Sequence, residues 1–98
     1  MSNFDIKQFS ALFSAVLKLE NAEECEKFFE DVCTIKELQD MSQRLEVAAL
    51  LKSGCNYQEV SKKTGASTAT ISRVNKCLLY GRGGYQTVLN RAKEEGEK

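Results

Sequence analysis

Apolar residues recur every three or four positions through most of this 98-residue chain. The first such stripe contains Ile6, Phe9, Phe13, Val16 and Leu17, which would share one face of a helix. No segment alternates apolar and polar residues with the two-residue period of a half-buried strand. The pattern predicts an all-α fold of six helices, at residues 4–19, 22–32, 35–53, 57–64, 68–80 and 84–95.

Short polar residues mark the predicted helix starts, where they can accept hydrogen bonds from free backbone N–H groups. Ser67 is a simple N-cap candidate. Three pairs have the capping-box spacing, in which the acidic residue also accepts from the backbone of the first. They are Asn21 with Glu24, Thr34 with Glu37, and Asn56 with Glu59. Helix ends are expected at Gly54, Gly65 and Gly81, since glycine adopts the left-handed conformation at little cost.

The organisation of the chain is simple. The sequence contains no proline, and it shows no internal repeat and no low-complexity linker. We therefore expect a single domain over residues 1–98, with a tail at 94–98 that has nothing to bury and should fray. A chain this short buries only about 60–65% of the surface that it exposes when unfolded, so dimerisation would complete its core.

Charge is unevenly distributed although the chain has 14 basic and 14 acidic residues. Residues 1–51 carry 5 basic against 10 acidic side chains, and residues 52–82 carry 6 basic against one acidic, Glu59. Such asymmetry is typical of a protein in which one face approaches a polyanion. A solvated basic face without a partner is the alternative interpretation.

The inventory of reactive residues argues against an enzyme. The chain lacks histidine, and its cysteines, at positions 25, 33, 55 and 77, form no Cys-x-x-Cys pair. Reduced, buried cysteines are therefore expected, without metal, cofactor or catalytic residues. Tyr57, Tyr80 and Tyr85 are interpreted as packing residues. The sequence has no apolar run long enough to cross a membrane and no export signal, which favours the cytoplasm.

Residues 56–80 carry the strongest functional pattern, a helix-turn-helix. Val60, Ile71, Val74 and Leu78 fall at positions that would pack the two helices together. The other face of the second helix begins with small side chains that suit close entry into the major groove of DNA, namely Thr68, Ala69, Thr70 and Ser72. Nearby cations that can neutralise phosphates are Lys62, Lys63, Arg73 and Lys76. An ordinary helical hairpin is the alternative.

These residues resemble the Trp repressor family. Gly65 to Arg73 is similar to the family's Gly-Ala-x-x-Ala-Thr-Ile-Thr-Arg turn and recognition helix, and the run from Thr34 to about Leu79 is collinear with the family's core. The similarity is greatest to the TrpR-related YerC/YecD branch, where it also includes Phe28-Phe29 and Tyr80-Gly81.

The resemblance implies an intertwined homodimer of six-helix subunits that binds a pseudo-palindromic operator in double-stranded DNA. In such a dimer the first three helices and the last form the shared core. The DNA-contacting positions carried over from the family are Gln58, Ser61, Thr68, Ala69, Thr70 and Ser72.

The family's corepressor pocket does not carry over cleanly to this sequence and is expected to be degenerate. The resemblance implies that Arg73 stands for one of the two arginines that sandwich the indole, whereas Glu46 takes the place of the other and Val74 replaces a glycine. A carboxylate at Glu46 cannot complement that of an amino acid, so L-tryptophan is not the expected ligand. We hypothesise instead a salt bridge between Glu46 and Arg73, with Val74 filling the former pocket. The alternative is that both charged side chains are simply solvated.

Together these features predict a sequence-specific transcriptional regulator, a repressor that does not depend on tryptophan. The alternative from another class is a helical interaction or scaffold module that no longer binds DNA, which the acidic first half of the chain supports. An enzyme has no support in the inventory of residues. The operator, the regulated genes and any small-molecule effector are not specified by the sequence.

Overall fold

The computed structural model describes residues 6–96. Over this range the chain forms six α-helices and no strand, which confirms the all-α prediction. The helices are α1 (Ile6–Val16), α2 (Ala22–Val32), α3 (Ile35–Lys52), α4 (Tyr57–Thr64), α5 (Thr68–Tyr80) and α6 (Gly84–Glu94). The predicted start of α1 at residue 4 lies outside the described range.

Three helices end earlier than predicted. α3 ends at Lys52, one position before the predicted residue 53. α1 ends at Val16 rather than at residue 19, since the amides of Lys18 and Leu19 donate to carbonyls three residues back, Ala15 and Val16, each at 3.1 Å. α6 ends at Glu94, one position early, and the amides of Glu95 and Gly96 continue its bonding at 3.0 Å. Residues 97–98 lie outside the described chain.

The predicted caps form, with one difference in detail. Thr34 with Glu37 and Asn56 with Glu59 make complete capping boxes, each with both bonds at 2.8–3.1 Å. The Asn21 side chain accepts from Glu24 N at 2.9 Å, but the Glu24 carboxylate accepts from Glu20 N instead of from Asn21. Ser67 caps α5 by accepting from Thr70 N at 3.1 Å.

The three glycines predicted to end helices do not all have the same conformation. Gly54 and Gly65 are left-handed, with φ of 103° and 75°, as predicted. α5 does end before Gly81, as predicted, but this glycine is not left-handed, since it has φ −82° and ψ −156°. Its amide donates to the carbonyl of Cys77 at 2.9 Å, and a Cβ at this position would overlap the same carbonyl oxygen. A glycine is therefore needed at position 81, because the backbone there passes too close to the Cys77 carbonyl for a side chain.

The chain divides into two compact units between Leu38 and Gln39. The second unit contains a hydrophobic core to which α3, α4, α5 and the turn before α5 contribute. Its members are at most 2% exposed: Val47, Ala48, Val60, Ala66, Ile71 and Val74. Tyr85 and Leu89 of α6 pack against this core, and burial raises the pKa of the Tyr85 phenol.

A glutamine connects the ends of three helices in the second unit. The Gln86 amide nitrogen donates to the carbonyl of Leu78 at 3.2 Å, and its oxygen accepts from Lys52 Nζ at 2.5 Å. Because Lys52 ends α3, Leu78 lies near the end of α5 and Gln86 lies in the first turn of α6, this side chain fixes α6 against the core.

The first unit has a different character, because no residue of α1 or α2 is buried. The Phe9 and Phe13 rings lie 6.4 Å apart, and the Phe28 and Phe29 rings meet edge to face at 5.4 Å. Leu17 is nevertheless 84% exposed and Phe13 is 40% exposed. A single chain thus leaves much of the apolar stripe of α1 in contact with water.

All four cysteines are free, but the expectation that they are buried is wrong. Cys25 and Cys77 are exposed, whereas Cys33 and Cys55 are half-buried. The helical period alone did not show which face of α2 and α5 would be covered. Over residues 6–96 no cluster of three or more potential metal ligands occurs. None of the described helices is both long and apolar enough to cross a membrane.

Candidate nucleic-acid interface

The helix pair α4–α5 forms the helix-turn-helix that the sequence predicts. α4 ends at the left-handed Gly65, and α5 starts two residues beyond Ala66. Ala66 itself is buried in the turn. The four predicted packing positions are all buried, with Leu78 the most accessible at 7%: Val60, Ile71, Val74 and Leu78. Apolar contacts therefore fix the angle between the two helices.

Hydrogen bonds further fix the turn between the helices. The Ser61 hydroxyl donates to the carbonyl of Ala66 at 2.9 Å, and Thr64 Oγ1 accepts from the Ala66 amide at 3.1 Å. The Gln43 amide of α3 donates to the carbonyl of Thr64 at 3.2 Å. The resemblance places Ser61 among the DNA contacts. Because its hydroxyl donates its proton within the turn, its oxygen can only accept a hydrogen bond from a ligand.

The solvent-facing side of α5 carries five of the ten residues predicted to contact DNA. Ala69, Ser72, Arg73 and Lys76 are exposed and recur at helical spacing on the side away from the buried positions. Thr68, the first residue of the helix, is also exposed. Thr70 differs, because it is half-buried and its hydroxyl accepts from the Ser67 hydroxyl at 3.1 Å. Thr70 therefore supports the helix start.

The helix-turn-helix carries four cationic side chains without acidic partners. Lys62, Lys63, Arg73 and Lys76 are exposed, and none forms an ion pair with another residue of the described chain. The only carboxylate of the helix-turn-helix belongs to Glu59, which is engaged by the backbone amide of Asn56 at 2.8 Å. The surface thus presents uncompensated positive charge, which attracts a polyanion.

A cleft of about 340 Å³ lies beside α4 and the start of α5. It brings together four residues that the sequence predicts as DNA contacts, Gln58, Ser61, Lys62 and Thr68. Its fifth lining residue is Tyr57, which the sequence predicts as a packing residue and which is 37% exposed. A signal was present, since Tyr57 and Ser61 are four residues apart and share one face of α4.

The residues assigned to a degenerate ligand pocket do not form the hypothesised ion pair. Glu46 and Arg73 are both exposed, and no salt bridge joins them within the described chain. Val74 is 1% exposed and belongs to the hydrophobic core. The hypothesis of a Glu46–Arg73 salt bridge is therefore wrong for a single chain, because both charged groups remain solvated.

Comparison with known proteins assigns the family. The family model described as Trp repressor protein matches residues 7–93. The uncharacterized protein YerC of Bacillus subtilis strain 168 is 51% identical over 88 residues, which cover 90% of this chain and 85% of YerC.

Two solved structures are also similar. The crystal structure of a candidate Trp repressor from Staphylococcus aureus has a TM-score of 0.86 at 44% identity, covering 93% of this chain and 96% of that one. A TrpR like protein from Eubacterium eligens ATCC 27750 has a TM-score of 0.85 at 49% identity, covering 89% and 90%. From the motif, the fold and these similarities together, the chain belongs to the Trp repressor family, in the branch that includes YerC.

Proposed function

We propose that this protein is a sequence-specific DNA-binding transcriptional regulator, a repressor that uses α4–α5 as its helix-turn-helix. The observation that carries the proposal is the combination of an α5 held by the core with an exposed outer side and four unpaired cations on α4 and α5. A scaffold module needs no such surface. Because the proposed partner is chromosomal DNA, the proposal assigns the protein to the cytoplasm, and it includes no catalytic step.

The proposed contacts divide by chemistry. Thr68, Ala69 and Ser72 are small and exposed, so α5 can approach the base edges in the major groove closely. The phosphate backbone is contacted by the cations on both helices, Lys62, Lys63, Arg73 and Lys76. Short hydroxyl-bearing and methyl-bearing side chains offer few direct base contacts, so bridging water and DNA shape contribute to specificity.

We further propose that DNA binding does not require tryptophan. Glu46 would place a carboxylate where the family's indole pocket has an arginine, which disfavours an amino-acid ligand. Val74, at the position of a family glycine, is part of the core that holds α5. The helix is thereby supported by apolar packing within the chain.

The regulator proposal is tested by selecting duplexes from a random library with purified protein, followed by titrations at several salt concentrations. We expect enrichment of a pseudo-palindrome. Log affinity should fall with log salt at a slope of about −3 to −7, because up to four cations per subunit release counterions. Added L-tryptophan should leave affinity unchanged. Absence of duplex binding at low salt would instead support the scaffold function.

We also propose that the working form is a homodimer. Exposed apolar side chains of the first unit and of α3 support this, since Leu17 is 84% and Ile35 is 72% exposed, while α1 and α2 bury no residue. Apolar exposure on this scale marks an interaction surface. We propose that a second copy of this chain covers this apolar surface, since a dimer would present two symmetric α5 helices to a two-fold operator.

The dimer proposal predicts a mass of twice the 11.0 kDa chain in sedimentation equilibrium. The double variant Leu17→Glu/Ile35→Glu should shift the mass toward the monomer, because two carboxylates per subunit would have to be desolvated in the interface. Gln8→Glu/Gln39→Glu is the matched control, since it adds the same charge at exposed polar positions. A wild-type chain that sediments as a monomer at micromolar concentration contradicts the proposal.

A further inference from the structure

The cleft beside α4 is lined by residues whose side chains all carry a hydrogen-bond donor. Its five lining residues offer a phenol, an amide, two hydroxyls and an ammonium group, and no carboxylate. At about 340 Å³ it is large enough for a small ligand group rather than for a single water. The lining comes from two helices, because Thr68 begins α5 and the other four residues belong to α4.

Most polar groups around the cleft lack partners in the protein. Within residues 6–96 the side chains of Tyr57, Gln58, Lys62 and Thr68 make no hydrogen bond or ion pair. Ser61 is the exception, since its hydroxyl donates to the carbonyl of Ala66 at 2.9 Å. The cleft thus presents a set of free donors and one cation, which matches an anion whose oxygens only accept.

Building on the proposed regulator function, we propose that this cleft binds one phosphodiester group of the DNA backbone and that the Tyr57 hydroxyl donates a hydrogen bond to it. Lys62 supplies the countercharge, and Thr68 and Gln58 provide further donors. Tyr57 is thereby a positioning residue. A phosphate held by residues of both helices fixes how α5 lies in the groove without contributing sequence information.

The test compares Tyr57→Phe with Tyr80→Phe. Both substitutions remove only a phenolic hydroxyl, and Tyr80, 82% exposed at the end of α5, does not line the cleft. Affinity is measured for a selected duplex and for a random-sequence duplex. We expect Tyr57→Phe to weaken both by about tenfold or more, because a hydrogen bond to a charged group is lost. Tyr80→Phe should bind as wild type does.

Two results overturn this assignment while leaving the regulator function intact. The first is duplex binding by Tyr57→Phe that equals wild type. The second is a loss confined to the selected duplex, which would mean that Tyr57 contacts a base. If the wild-type chain binds no duplex at all, the regulator function and the phosphodiester site both fall.

A free nucleotide offers the same phosphate chemistry as the DNA backbone, so a competition experiment separates the two sources. We expect millimolar AMP to leave duplex affinity unchanged, because one phosphate held by a few exposed donors binds weakly without the rest of the duplex. Competition by micromolar AMP that is lost in Tyr57→Phe would overturn the DNA-backbone assignment and identify the cleft as a nucleotide site.

Discussion

Reversing two charges, in the double variant Lys62→Glu/Lys63→Glu, should reduce duplex affinity by at least about 100-fold near physiological salt. Both lysines are exposed in the last turn of α4. They make no ion pair in the described chain, so their charge is available to phosphates. The slope of log affinity against log salt should become shallower by about two units per subunit, since two counterion-releasing contacts are lost.

Lys18→Glu/Lys93→Glu is the control for this variant. It changes the net charge by the same amount, at exposed lysines outside the helix-turn-helix. We expect it to weaken binding only slightly, through the long-range field, and to keep the salt slope of the wild type. Equal losses in the two double variants would show that net charge alone governs binding, which would contradict an assignment of phosphate contacts to α4. Circular dichroism checks that both variants remain helical.

The largest expected effect on folding is that of Ile71→Ala. Ile71 is fully buried in the core cluster with Val47 of α3 and Val60 of α4. Truncation removes three carbons and leaves a cavity, which should lower the free energy of unfolding by about 2–5 kcal/mol. Since a small domain is stable by only about 5–15 kcal/mol, this loss is a large fraction of the total.

Urea denaturation at a fixed chain concentration measures this effect, because the stability of a dimer depends on concentration. Thr68→Ala is the matched control, since it also truncates a β-branched side chain on α5 but at an exposed position. We expect it to change stability by less than about 0.5 kcal/mol. An Ile71→Ala chain as stable as this control would mean that α5 is not held by the core described above.

The two variants separate binding from folding. The lysine reversal should abolish most duplex affinity while leaving the denaturation midpoint close to that of the wild type, since exposed charges contribute little to stability. Ile71→Ala should lower the midpoint first, and affinity should fall only as the folded fraction falls. This contrast distinguishes a surface that contacts DNA from the packing that orients it.

Local features of the sequence were sufficient to predict the helices and the helix-turn-helix. Helix starts depend on bonds between residues three apart, as in the capping box of Asn56 and Glu59, and these bonds need no distant partner. The buried side of α5 follows from the helical period, which placed Ile71, Val74 and Leu78 correctly. The asymmetry of charge likewise depends only on the order of charged residues along the chain, since their total numbers are equal.

Contacts between elements decided the features that local patterns could not specify. Whether Glu46 of α3 reaches Arg73 of α5, or whether Tyr57 of α4 shares a cleft with Thr68, depends on how the helices are oriented in space. The roles of Ser61 and Thr70 depend on which backbone and hydroxyl groups lie within about 3 Å, which is the reach of a hydrogen bond. Periodicity specifies which side of a helix is apolar, but only packing determines which polar groups meet across the turn.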